Sequence, residues 1–177
     1  MGRVVSFRPL RRDDFPLLGA WLADPAVHRW WMERSGPEGV EATYGPAVDG
    51  NAPTDVFMIV LGGRDIGMIQ RYRLRDHPEW ERAIGIEDAA GIDYLLGAAV
   101  DRGRGTGSAA IAAFAGDTFA AYPEVAVVVA APQQANVASW RALEKAGFTR
   151  VWEGMLDSDA PADAGPAYVY ARRRPLP

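Results

Sequence analysis

The chain has 177 residues, 49% of them hydrophobic, with 19 basic and 23 acidic side chains and a formal net charge of -4. Such a chain suffices for one domain, residues 1–177, that buries about two-thirds of its unfolded surface, and the composition excludes a disordered protein. The charge balance also excludes the basic face of a nucleic-acid binder, because the one tight basic cluster, Arg172 to Arg174, reads as a solvated terminus.

The absence of cysteine removes disulfide scaffolds, thiolate metal sites and cysteine nucleophiles together. Neither an apolar leader nor a bilayer-length apolar run is seen, so the expectation is a cytoplasmic chain, and the Ala/Arg/Gly-rich composition suggests a bacterial one. Met1-Gly2 with Ser6 fits the myristoylation pattern, which is too short and common to carry weight.

In chain order, Val4 to Leu10 reads as a strand. Asp13 or Asp14 can cap a helix with Leu17, Leu18, Trp21 and Leu22 on one face, ended by Asp24-Pro25. A second short helix presents Val27, His28, Trp30 and Trp31. Adjacent tryptophans cannot both face one core, so at least one is expected at a cleft or on the surface. Residues 35 to 53 are rich in Gly and Pro, with a short helix suggested around Glu38 to Tyr44. Residues 55 to 61 and 66 to 74 form a hairpin around Gly62-Gly63. Residues 75 to 90 are polar and acidic and read mainly as a solvated face. Their position before the central strand points one or two acids, from among Glu79, Glu87 and Asp88, into a cleft. Val125 to Ala131 is a fully apolar strand, Asn136 to Ala146 a helix ending at Gly147, and 149–156 with 167–172 a closing antiparallel pair. The loop between that pair, Asp157 to Gly165, reads as flexible and negative.

The stretch around which the chain is organised is 91–119: an apolar strand, the turn Asp101-Arg-Gly-Arg-Gly-Thr-Gly107, then Ile111, Phe114, Thr118 and Phe119 at helical spacing. Glycines at 103, 105 and 107 let the backbone approach a ligand, and a helix starting there presents its positive end, which suits phosphate. Arg102 and Arg104 add mobile positive charge. A dinucleotide fingerprint fails because Ser108 stands where its third glycine belongs, and the segment downstream is all apolar. A Walker loop fails for want of lysine. Arg102-Gly-Arg-Gly105-Thr-Gly107 instead resembles the pyrophosphate loop of the GCN5-related N-acetyltransferases (GNAT), and Asn136 through Glu144-Lys-Ala-Gly147-Phe148 resembles that family's second helix and its exit. Gly91-Ile-Asp93-x-Leu-Leu, Pro123-Glu-Val, Pro132 and Gly165-Pro-Ala-Tyr168 look most like the aminoglycoside 6'-N-acetyltransferases.

The resemblance implies one α/β domain with a mixed, mostly antiparallel sheet of about six or seven strands, splayed near the middle to admit acetyl-CoA. It implies acetyl transfer to a primary amine, foremost the 6'-amine of an aminoglycoside, by a monomer or homodimer with no nucleic-acid or membrane partner. Backbone N–H groups of Arg102, Gly103, Arg104, Gly105, Thr106 and Gly107 would hold the pyrophosphate. The backbone of Leu95, Leu96, Gly97 and Ala98 would pair with the pantetheine arm and polarise the thioester. Asn136 reads equally as a contact to that arm and as a helix cap, and the two roles are compatible. Trp30 and Trp31 would lie beside the sugar site.

Asp93 is the sole charge inside the apolar stretch from Ile92 to Val100. Burying it uncompensated costs on the order of several kcal/mol. A substrate ammonium would compensate, and burial would raise its pKa toward that of a general base. A strand-end aspartate paired with an arginine is the plainer alternative. One departure stands out: seven residues after Asn136 the family usually carries a tyrosine that can protonate the departing thiolate, and here the residue is Leu143. A slow enzyme is expected, with water serving a thiolate of pKa roughly 8.5. An acetyltransferase for another amine (a siderophore lysine, a protein N-terminus, a small metabolite) and a non-catalytic acyl-CoA-binding domain remain open. His28 and His77 are assigned neither a role nor a metal.

Overall fold

A computed structural model describes residues 4–176; the Met1-Gly2 end lies outside the described residues. Its seven strands form one sheet in the order β1-β2-β3-β4-β5-β7-β6. These are β1 (Val5–Pro9), β2 (Thr54–Leu61), β3 (Arg64–Arg73), β4 (Ala89–Leu96), β5 (Val127–Ala130), β6 (Thr149–Leu156) and β7 (Gly165–Arg173). All neighbours pair antiparallel except β4 with β5. The helices are α1 (Phe15–Ala23), α2 (Pro25–Trp31), α3 (Pro37–Val48), α4 (Pro78–Ile84), α5 (Thr106–Ala121) and α6 (Val137–Lys145). None is long and apolar enough to cross a membrane.

Strand alternation builds two cores from one sheet. Met58, Met68 and Leu95 point to the face covered by α1, α2 and α3, where they meet Leu18, Trp21, Leu22, Val40 and Tyr44. Their neighbours Ile59, Ile69 and Ile92 point to the opposite face, against Ile111, Phe114 and Phe119 of α5 and Leu143 of α6. The β2–β3 hairpin turns on Gly62 and Gly63, with φ of 58° and 80°, a conformation that a side chain would resist.

Two elements exceed the sequence reading. Helix α3 runs for 12 residues through Pro46. Residues 78–84 of the acidic segment are helical, started by Pro78 at the first position and stopped by Gly85 at φ 72°. Both helices are short on apolar periodicity, and tertiary packing of Val40, Tyr44 and Ile84 stabilises them instead.

The sheet opens at its centre. β4 and β5 pair only from Ala89↔Val127 to Gly91↔Val129. Beyond this the chain after β5 follows β7: the Tyr168 N–H donates to the Pro132 carbonyl at 3.0 Å, and Gln133 bridges Ala167. The second half of β4 therefore has a neighbour on only one side.

At the end of β4, Gly97 packs under the Trp21 indole with no room for a Cβ, and its N–H donates to the Ile66 carbonyl at 2.8 Å. Trp21 is itself buried and cannot swing away. Gly97→Ala is expected to cost about 1–3 kcal/mol of stability, read as a lower urea midpoint at unchanged m. An unchanged midpoint would show that the indole yields freely.

Candidate functional site

The turn between β4 and α5 makes the first half of the site. Gly103 and Gly105 take φ of 72° and 77°, and a Cβ added to either would meet only open space. The loop thus presents bare backbone outward. Helix α5 starts at Thr106 with no side-chain cap, leaving its first N–H groups turned toward that surface. A cavity of about 370 Å³ extends from the loop, lined by Leu95, Leu96, Arg102, Gly103, Gly105 and Gly107 on one wall and by α6 on the other. Bare glycine backbone, a helix N-terminus and a long cavity suit a ligand with a pyrophosphate head and a narrow arm.

Of the residues expected here, Gly97, Ala98, Arg104 and Thr106 do not line this cavity. Arg102 does, but its guanidinium is not mobile. It donates to the carbonyls of Gly97 (2.7 Å) and Leu96 (3.3 Å) and to Asp24 (3.2 Å). Carbonyls at a strand end lack partners, and the guanidinium fork satisfies two of them at once. Asp101, just before it, is buried and bound by Arg64 at 2.7 and 2.9 Å. Mobile charge is left to the exposed Arg104.

The second half lies where the sheet opens. A cavity of about 300 Å³ is lined by Trp30, Trp31, Glu33, Gln70, Asp93 and Tyr94, with Asn136, Ser139 and Asp163 closing it. Asp93 and Tyr94 point to opposite faces of β4, yet both line this space because the sheet has no strand there. Gln70, opposite Asp93 in the β3–β4 register, donates to its carboxylate at 2.9 Å, and Tyr72 also hydrogen-bonds to it. Burial nonetheless raises the Asp93 pKa, against these two hydrogen bonds and with help from the Glu33 charge. Glu33 is raised as well, by burial first and by Asp163 in addition, although the Tyr44 hydroxyl donates to it at 2.6 Å. Desolvation within the cleft, with the Asp93 charge behind it, pushes Asp163 up to about 6 even though solvent reaches its side chain from outside.

Among the described residues none of these three carboxyl groups forms an ion pair. The arrangement excludes the reading of Asp93 as a strand-end aspartate paired with an arginine. Three mutually repelling carboxyls are gathered with no basic side chain paired to them, so a proton or a cation from outside must neutralise them.

Both tryptophans reach the cleft, half-buried, and both line the two cavities. Asn136 caps α6, accepting from the Ser139 N–H at 3.4 Å, and lines both cavities too. Glu79 lies on an outer vestibule with Asp76, Asp157 and Asp159, which opens onto Asp93 and Asp163. Glu87 and Asp88 do not join it. They stand exposed in the turn before β4, where the Asp88 carbonyl accepts from the Ala126 N–H at 2.9 Å. Sequence reasoning missed Glu33, Gln70, Tyr72 and Asp163. Gln70 and Tyr72 carried no signal because the β3–β4 register that sets them beside Asp93 emerges only in the fold, and the loop carrying Asp163 read as flexible.

The family model described as an acetyltransferase (GNAT) domain matches residues 11–156. Aminoglycoside N(6')-acetyltransferase type 1 of Klebsiella pneumoniae is 30% identical over 163 residues, covering 89% of this chain and 80% of that protein. The crystal structure of aminoglycoside acetyltransferase AAC(6')-Ib in complex with coenzyme A superposes with a TM-score of 0.83 at 28% identity, covering 97% of this chain and 95% of the other. A structure of the same enzyme with coenzyme A and kanamycin gives the same TM-score and identity. The glycine loop on the splayed strand, the asparagine-capped helix across from it and these similarities together identify the chain as a member of the GNAT acetyltransferase family.

Proposed function

We propose that this protein transfers the acetyl group of acetyl-CoA to the 6'-amine of aminoglycosides. The observation that carries the reading is the convergence of Glu33, Asp93 and Asp163, without a cationic partner, in the cavity that adjoins the glycine-loop cavity through their shared wall of Trp30, Trp31, Tyr94, Asn136 and Ser139. A polycationic sugar supplies the missing charge, and the wider vestibule with Asp76, Glu79, Asp157 and Asp159 draws it inward. The coenzyme-A and kanamycin complexes of the relative show such ligands on the same fold.

Bound at the loop, acetyl-CoA supplies an activated thioester; the chain's residues do the rest. N–H groups at Gly103 to Gly107 and the start of α5 bind the pyrophosphate, while Leu95, Leu96 and Asn136 flank the arm. Asp93, oriented by Gln70, accepts a hydrogen bond from the substrate amine and takes its proton. Glu33, Asp163 and the indoles of Trp30 and Trp31 hold the rest of the sugar. Acetylation converts an ammonium into a neutral amide, which weakens any contact the drug makes through that charge and gives the reaction its role in resistance. We place the enzyme in the cytoplasm, where acetyl-CoA and the drug meet.

Thiol release from acetyl-CoA, measured across aminoglycosides with and without a 6'-amine, tests the reading. Turnover is expected only with the 6'-amino compounds, and Asp93→Asn should lower kcat/KM by about 10²–10⁴-fold while leaving coenzyme A affinity unchanged. Equal turnover of compounds lacking the 6'-amine would refute the regiochemistry. The raised Asp93 pKa fixes the sign of the pH dependence: the base is lost as pH falls through that pKa, so activity declines on the acid side. Asp163, pushed up to about 6, should add a rise in aminoglycoside KM as pH falls through that value. Asp163→Asn should raise KM at neutral pH and flatten that rise; a KM profile identical to wild type would remove Asp163 from the substrate site.

A further inference from the structure

Acetyl transfer leaves a thiolate that must be stabilised as it departs, and the position that resemblance gives to a tyrosine is here Leu143, fully buried in the core among Phe114, Ala146 and Tyr170. It lines neither cavity. Five residues line both cavities and so frame the passage between them: Trp30, Trp31, Tyr94, Asn136 and Ser139. Only Tyr94 and Ser139 carry hydroxyls. Tyr94 projects from the unpaired half of β4, on the face opposite to Asp93, and its hydroxyl lies 2.8 Å from Ser139 Oγ in the first turn of α6. This bond ties the open half of β4 to α6.

We propose that Tyr94, held by Ser139, is the group that stabilises the departing thiolate, donating a hydrogen bond from its hydroxyl to the sulfur. The inference rests on the acetyl-transfer reading of this site. The Tyr94 hydroxyl reaches the Ser139 carbonyl only at 3.4 Å, so when the Ser139 hydroxyl donates to Tyr94 Oη the tyrosine proton can exchange that long contact for a sulfur in the passage. In the reaction the amine nitrogen bonds to the carbonyl carbon, the carbon–sulfur bond breaks with both electrons going to sulfur, and the amine proton passes to Asp93. The sulfur leaves as a thiolate under the Tyr94 hydroxyl and takes its proton from water afterwards. No proton has to leave Tyr94. Burial, joined by the nearby Asp93 charge and opposed by the Ser139 hydrogen bond, raises its pKa, so the hydroxyl remains a donor throughout. A charge-assisted bond of this kind forms only as negative charge develops on sulfur, which is where it accelerates the reaction.

The test reads the cofactor product as well as turnover. The protein has no cysteine, so the only thiol in its complex with coenzyme A belongs to the ligand, and its ionisation can be followed by thiolate absorbance against pH. Tyr94→Phe is expected to weaken thiol ionisation about tenfold in the bound complex, a pKa higher by about one unit. Ser139→Ala should shift it the same way by a smaller step. With an aminoglycoside acceptor, Tyr94→Phe should lower kcat about ten- to hundred-fold and leave the KM for acetyl-CoA within about twofold. Superimposable thiol titrations of wild type and Tyr94→Phe, or a Tyr94→Phe kcat within about twofold of wild type, overturn the assignment. A shifted thiol in a protein that acetylates no aminoglycoside supports the role of Tyr94 and overturns the substrate reading instead.

Discussion

The site depends on one failure of strand pairing. β4 and β5 share only the register from Ala89↔Val127 to Gly91↔Val129, and the chain beyond β5 keeps its pairing with β7 while leaving β4. A parallel pair that continued would seal the sheet and bury Asp93 and Tyr94 on separate faces. Since it stops, side chains from both faces reach one space, and backbone at the end of β4 faces a cavity rather than a neighbour. Unpaired backbone in a sheet interior is costly unless something satisfies it. Arg102 covers part of that need through the Leu96 and Gly97 carbonyls, and the remainder is what a ligand arm can use.

The glycine loop is correspondingly built for geometry more than for charge. Arg64 clamps buried Asp101 before the loop, and Arg102 is tied to the strand end and to Asp24, the residue that caps α2. Two arginines that could have served as free phosphate ligands instead hold the turn, and the glycine backbone is presented ready-made. Such preorganisation lowers the ordering cost of binding. It also couples the loop to α2, which carries Trp30 and Trp31, so the walls of the two cavities share one brace.

Electrostatics shape the other half. Glu33 comes from the segment after α2, Asp93 from β4 and Asp163 from the loop before β7, and their mutual repulsion adds to the effect of burial in raising all three pKa values. Hydrogen bonds from Tyr44 and Gln70 fix two of them in place without neutralising them. The cluster is a cost in the free protein, and under the proposed function a polycationic substrate would relieve it and be oriented at Asp93.

Most of this architecture was legible locally. The Gly62-Gly63 hairpin, the apolar strand before the glycine turn, the α5 and α6 patterns and the isolated charge of Asp93 each follow from short-range chemistry: turn conformation, periodicity, capping and the cost of a lone buried carboxylate. Helix α4 escaped because seven residues starting at Pro78 hold too little periodicity to be read; α3 was read only from Glu38 to Tyr44, because Gly and Pro conceal the rest of a helix that packing stabilises. What the chain's own pattern could not specify is which distant residues meet. Glu33 and Asp163 are 130 positions apart, the partner of Asp93 is selected by register, and the fixed role of Arg102 arises only once strand-end carbonyls are left without partners. The sequence by itself determined the strands, most of the helices, the glycine loop and the one isolated carboxylate in an apolar strand. Only the tertiary structure decided that two further carboxyls and the Tyr94–Ser139 pair would share its cavity, because convergence across an open sheet is a property of strand order and divergence that no local signal encodes.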